Sequence, residues 1–229
     1  MRTHQIRFLL AAACGLAALT AVGAAQDRPS AILTTVEVRQ LVQSGTPADS
    51  ARLSAHFEAL AARYTADAAR HTSMSKNFAG NPNRNVGTGM AAHCQRLAEL
   101  NTQSATTVRE LASYHEKLAA GAAATPPPGG GRFEAGAGAP EPTAKDLDAL
   151  AAKASTPADH RALEEYFRTL AKRYTADAAE HDGLAPMYRG SRIPQVGTNH
   201  ERLAVLSRDA AKEATAAADM HRQFASLPR

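Results

Sequence analysis

TPADSARLSAHFEALAARYTADAARHT, residues 46–72, returns as TPADHRALEEYFRTLAKRYTADAAEHD at residues 156–182, identical at 16 of 27 positions with no gap. Self-similarity at a fixed spacing marks one supersecondary unit used twice. Each copy opens on Thr-Pro-Ala-Asp, which puts a hydroxyl at the N-cap, proline in the first turn and a carboxylate at the positive end of the helix dipole. Leu53, Phe57, Leu60, Tyr64, Ala68 and His71 follow at three- and four-residue steps, as do Leu163, Phe167, Leu170, Tyr174, Ala178 and His181. Such steps draw one apolar stripe along a helix of about 30 residues, not a strand.

Outward from the repeat, FAGNPNRNVGT (78–88) and YRGSRIPQVGT (188–198) read as loops of one design. Thr198 with Glu201 reads as a capping box that opens the returning helix. That helix carries Met90, Cys94, Leu97, Leu100, Val108, Leu111, His115 and Leu118, and its twin His200, Leu203, Leu206, Ala210, Ala214, Ala217, His221 and Phe224. Past the loops the offset between copies falls from 110 to 106 residues, close to one helical turn, so the inward face is kept. Pro186 ends the second copy's first helix early. A short amphipathic segment precedes each copy, at Val36–Val42 and Leu147–Ala151.

The expected fold is all-α: two tandem antiparallel helical hairpins, 34–120 and 144–227, each with a short extra N-terminal helix, packed as a four-helix bundle. Residues 121–143, dense in Pro, Gly and Ala, read as a linker that cannot bury enough apolar surface to fold. Since each hairpin runs out and back, the linker is expected to cross only a short distance, which puts both inter-helix loops at one end.

Residues 1–25 read as a signal peptide: Arg2 and Arg7 form a basic start, Phe8 to Ala25 is apolar and small, and Val22-Gly23-Ala24 or Gly23-Ala24-Ala25 fits a cleavage site. The run is too brief and too rich in Ala and Gly for a membrane anchor, and the stretch continues past Cys14, which favours ordinary cleavage over a lipoprotein. The expected address is the periplasm or beyond, with no transmembrane segment after cleavage. Without residues 1–25 the balance is 24 basic against 22 acidic residues. With that balance and no Trp, neither a basic nucleic-acid footprint nor a base-stacking platform is present. Cys94 is the one cysteine left, so no intramolecular disulfide forms.

Chemistry concentrates in histidines on or beside the apolar stripes. His71, Cys94 and His115 correspond to His181, His200 and His221. Cys and His both ligate zinc or copper. If the loops share one end, His71, Cys94, His181 and His200 converge on a His₃Cys tetrahedral site. His93 is a neighbouring ligand, and Asp67 and Asp177, four residues before His71 and His181, orient the rings. The plainer reading makes these satisfied core histidines and Cys94 a small buried hydrophobe. Tyr64 and Tyr174, each after an Arg, read as core tyrosines with a surface arginine, and Arg84, Arg189 and Arg192 as solvated loop charges. No CxxC, HxxxH, CxxCH or GxxxxGK[ST] pattern occurs. As a nucleophile Cys94 has His93 or His71 as a possible base, but no third orienting group.

RYTADAAEH (173–181), Ala91-Ala92-His93-Cys94-Gln95-Arg96-Leu97 and Met220-His221-Arg222 resemble exported bacterial tandem helical-hairpin proteins with no known activity. The resemblance spans both halves and implies a fold and an address, with no functional residue attached. The expected function is therefore a non-enzymatic exported envelope protein of structural or interaction type, working through a protein partner or self-association. The alternatives are a zinc- or copper-buffering protein using the His/Cys cluster, and a periplasmic chaperone-like binder with open apolar faces.

Overall fold

The structure, a computed structural model, describes residues 32–121, 142–189 and 194–227, apart from the side chains of residues 84 and 85. The expected signal segment 1–25, most of the linker, Arg192 and the side chain of Arg84 lie outside the described residues. Six α-helices and no strand are present among the described residues: α1 (Thr35–Ser44), α2 (Pro47–Ala79), α3 (Arg84–Ala120), α4 (Ala144–Lys153), α5 (Pro157–Leu184) and α6 (Pro194–Ser226). No helix is long and apolar enough to cross a membrane.

Local chemistry sets the boundaries. Thr34, Thr46, Thr143 and Thr156 each cap a helix through the side-chain oxygen, which accepts from the backbone N–H three residues on. Gly45 closes α1 in the left-handed region at φ 63°, where a Cβ is strained. Pro186 cannot donate to the helical ladder, so α5 stops at Leu184 and tightens into a 3₁₀ turn, Ala185–Tyr188. α6, with 33 residues, is four shorter than α3, with 37, the turn that the change of offset implies. Both returning helices start earlier than expected, α3 at Arg84 inside 78–88 and α6 inside 188–198. α6 already begins at Pro194, a residue suited to the first helical turn, so Thr198 lies inside it and donates back to the carbonyl of Pro194.

α2 lies along α3, α5 along α6, and α3 along α6. Within each half the direction reverses: Ser54 bonds the carbonyl of Ala112, and Ser75, further along α2, that of Ala91. Between halves the direction reverses as well. Arg63 meets Asp177, Asp67 meets Arg173, and the ring of His71 packs on Phe167. Position numbers rise along α2 as they fall along α5, so the two inter-helix loops lie at opposite ends. The expectation of loops at one end is thus overturned, and with it the short crossing: Ala120 stands at the Pro47 end of α2, while α4 stands at the other.

Contacts recur under exchange of the repeats, the signature of a local two-fold axis. Phe57 stacks on His115 at 5.5 Å, and its twin Phe167 on His221 at 5.8 Å. The short helices follow the same exchange. α1 reaches the end of α5, where Thr35 bonds Glu180 and Arg39 touches Gly183. α4 reaches the end of α2, where Asp148 accepts from Ser73 and the Ala151 carbonyl from Asn81.

α2 and α3 approach closely at Gly87, where an added Cβ would sit 2.7 Å from the carbonyl oxygen of Phe78. At Gly80 the nearest atom would be 3.6 Å away. We expect Gly87→Ala to cost about 1–3 kcal/mol through forced backbone movement and Gly80→Ala no more than about 0.5 kcal/mol, read from urea midpoints.

Candidate functional site

The polar interior falls into a central ionic belt and two imidazole-aromatic sockets near the ends. In the belt, Arg63 Nη2 lies 2.7 Å from Asp177 Oδ2, and Arg173 Nη2 lies 2.6 Å from Asp67 Oδ2. Tyr64 donates to Asp177 at 3.2 Å, while Asn101 donates to the Tyr174 hydroxyl at 2.7 Å. Each guanidinium also lies over the ring of its own neighbour, Tyr64 or Tyr174, at 5.2 and 5.4 Å from the centroid. Burial, opposed only in part by the nearby arginines, pushes both phenols well above their ordinary range. The arginines are therefore not surface residues, as the sequence suggested. Their signal was present in RYTAD, which puts Arg and Asp four residues apart in both copies, but the partner across the interface is invisible without the antiparallel arrangement.

One socket gathers His56, His115, His181 and His200 around Phe57 and Tyr188. His181 Nδ1 and His200 Nδ1 are 3.2 Å apart, Tyr188 stacks on His200 at 5.3 Å, and His115 Nε2 meets the Tyr188 hydroxyl at 3.2 Å. His56 Nδ1 accepts from the backbone N–H of Leu33. The other socket gathers His71, His160 and His221 around Phe78, Phe167 and Tyr166. His160 Nδ1 and His221 Nδ1 are again 3.2 Å apart, the neighbourhood the repeat alignment points to. All seven rings are buried. Desolvation pulls His56, His115 and His181 down to about 4, and His71 and His221 to about 3, so they are neutral near pH 7.

The four predicted metal ligands do not come together. His181 and His200 pair, but His71 packs on Phe167, fourteen residues from His181 along α5, which is about 21 Å of helix. Cys94 follows His93, whose ring meets Glu213, thirteen residues from His200 along α6. Among the described residues no group of three or more His, Cys, Asp or Glu side chains is placed to hold a metal ion. The predicted His₃Cys centre needed the loops at one end, and the local two-fold axis puts them at both. Asp67 and Asp177 likewise face arginines rather than orienting His71 and His181. Cys94 is fully buried and its thiol is pushed far up by desolvation, so it stays protonated and un-nucleophilic.

Two surface grooves complete the candidates. One, of about 640 Å³, is lined by Arg109, Glu110, Tyr114, Lys117 and Asn199 among others. The second, of about 590 Å³, is lined by Ser75, Lys76, Gln95 and Glu99 among others. Neither is lined by a buried histidine. No protein-family model matches the chain, and no curated protein or solved structure matches it significantly.

Three substitutions test this reading. Asp67→Asn leaves Arg173 without its cross-interface carboxylate and should cost about 3 kcal/mol. Asp177→Asn should cost less, since the Asp177 side chain is 13% exposed against 4% for Asp67. His71 has neither ring nitrogen hydrogen-bonded among the described residues. Its twin His181 bonds His200, whose place in the first copy is taken by Cys94. His71→Leu removes two unsatisfied polar atoms, so we expect it to stabilise the protein by about 1 kcal/mol, measured as a higher denaturant midpoint.

Proposed function

We propose that the protein is an exported, non-enzymatic helical protein of structural or interaction type. Its four long helices form two antiparallel hairpins, packed as one four-helix bundle with the loops at opposite ends. The observation that carries this reading is where the reactive side chains point. The arginines, aspartates and tyrosines of the belt bond one another, the imidazoles pair inside two closed sockets, and the thiol is buried and protonated. What the molecule offers outward is helical surface: shallow grooves lined mostly by polar residues, whose carbon stems leave much of the lining apolar, and single exposed apolar side chains such as Val36, Leu118 and Val205. That surface suits a protein partner or a second copy of the chain. It does not favour the open apolar face of a chaperone. The zinc or copper reading rested on a convergence of four ligands, and without it has no support.

Two measurements test the proposal. Spin labels at Glu58 and Asp182 should read a distance shorter by on the order of 10 Å than labels at Glu58 and Arg168, fourteen residues back along α5; hairpins packed in parallel reverse that order. In cells, the full-length chain should reach the envelope fraction and lose that address without residues 1–25. Crosslinking there should capture one discrete partner or a self-complex. A protein that stays in the cytoplasm, or crosslinks to nothing, defeats the functional reading while leaving the fold untouched.

A further inference from the structure

We propose that the stacked pair His160–His221 is an acid-operated latch that holds the last turns of α6 against the start of α5, and that uptake of protons there releases this end of α6. The two rings stack at 5.4 Å with planes 28° apart, and their Nδ1 atoms are 3.2 Å apart. Such a contact needs one Nδ1 that carries hydrogen and one that does not. A neutral pair satisfies it, and so does a pair sharing one extra proton. With both rings charged, both Nδ1 atoms are donors, the bond is lost and two like charges face each other inside the protein.

The surroundings decide which ring takes the first proton. Asp159, the capping-box carboxylate in the first turn of α5, accepts from the backbone N–H groups of Ser155 and Thr156, lies beside His160 and favours its charge. His221 has no carboxylate in that role. Phe78 of α2 and Phe167 of α5 wall it at 5.8 Å each, and the charges that act on it, His160 and His93 of α3, oppose its protonation. His93 is itself engaged with Glu213 of α6, and Phe224 of α6 covers His160. The first proton therefore settles on His160, and the second finds relief only when α6 lifts away.

The pH dependence follows in sign. Burial lowers both rings in the closed state, His221 to about 3, while a released end returns them towards the ordinary value of 6.5. The open form then binds more protons than the closed one, so the latch is firm at neutral pH and weakens as pH falls below about 6.5. The first repeat has no such device. Ser50 stands where His160 stands, and the twin of His221 is His115, whose Nε2 meets Tyr188. The other socket holds a histidine pair with the same contact, His181–His200 at 3.2 Å, but that pair lies at the start of α6 and not at its last turns; opening of the His160–His221 pair uncovers Phe78, Phe167 and Phe224.

Amide hydrogen exchange of residues 216–226 in the mature full-length protein, corrected for intrinsic rates, tests the latch between pH 7 and pH 5. His160→Ser, which installs the first repeat's residue, and His160→Asn, which keeps a hydrogen-bonding group without a titrating one, are measured alongside. Wild type should lose protection about tenfold more than either variant over this range, and should gain fluorescence with an apolar dye as the three phenylalanines are uncovered. Equal losses in wild type and in whichever variant is folded at pH 7, or a wild-type end that keeps its protection at pH 5, overturn the proposal.

Discussion

Two ion pairs decide how the halves of this protein meet. Arg63 meets Asp177 across the interface, and Arg173 meets Asp67. A guanidinium drawn out of water without a carboxylate is costly, and a mismatched register would leave two cations and two anions stranded together. Arg and Asp sit one helical turn apart in each copy, so the pairs form together only when α2 and α5 run in opposite directions. A parallel arrangement would set Arg63 beside Arg173 and Asp67 beside Asp177. Apolar burial supplies the greater part of the stability, but apolar stripes slide and invert at little cost. The ionic belt is what makes the direction unique.

Direction then dictates the sockets. With the halves antiparallel, the loop of one copy meets the open end of the other. Residues far apart in the repeat are thrown together, as His115 is with Tyr188 and Phe78 with His221. Each socket draws side chains from both halves, so neither half completes one alone. α1 and α4 extend the exchange, each covering the end of the other copy's first long helix. The two halves are interleaved rather than placed side by side.

Much of this was legible in the residues. The repeat, the caps at Thr46 and Thr156, the break at Pro186, the four-residue difference between α3 and α6 and the burial of the histidines follow from local chemistry and periodicity. The direction of packing did not, because an apolar stripe reads the same from either end. The error propagated: loops placed at one end drew His71, Cys94, His181 and His200 into a single centre, when His71 and His181 belong to opposite sockets. The clue was Arg63 and Asp67 repeated as Arg173 and Asp177. Within one copy a surface arginine and a ring-orienting carboxylate account for these residues locally, and only the antiparallel interface supplies the partner that each one meets.

The two copies differ in a way that bears on what the sockets are for. The belt residues Arg63, Tyr64 and Asp67 are the same in both halves, as are Phe57 and Phe167 at the socket floors. Four of the buried departures fall on the socket walls: Ser50 against His160, His56 against Tyr166, Phe78 against Tyr188, Cys94 against His200. All eight are buried. A buried hydroxyl exchanged for an imidazole, or a phenyl for a phenol, alters hydrogen bonding and charge response as well as shape. Each socket consequently has its own proton chemistry within one shared frame. One joins His181 to His200 and His115 to Tyr188, whereas the other leaves His71 unsatisfied and joins His160 to His221. A duplicated scaffold that needed only to stand would gain nothing from lining its two interiors so differently, and seven neutral imidazoles are an expensive way to fill a core that leucine would fill at lower cost. The sockets are therefore where this fold departs from pure packing, and where its response to its surroundings resides.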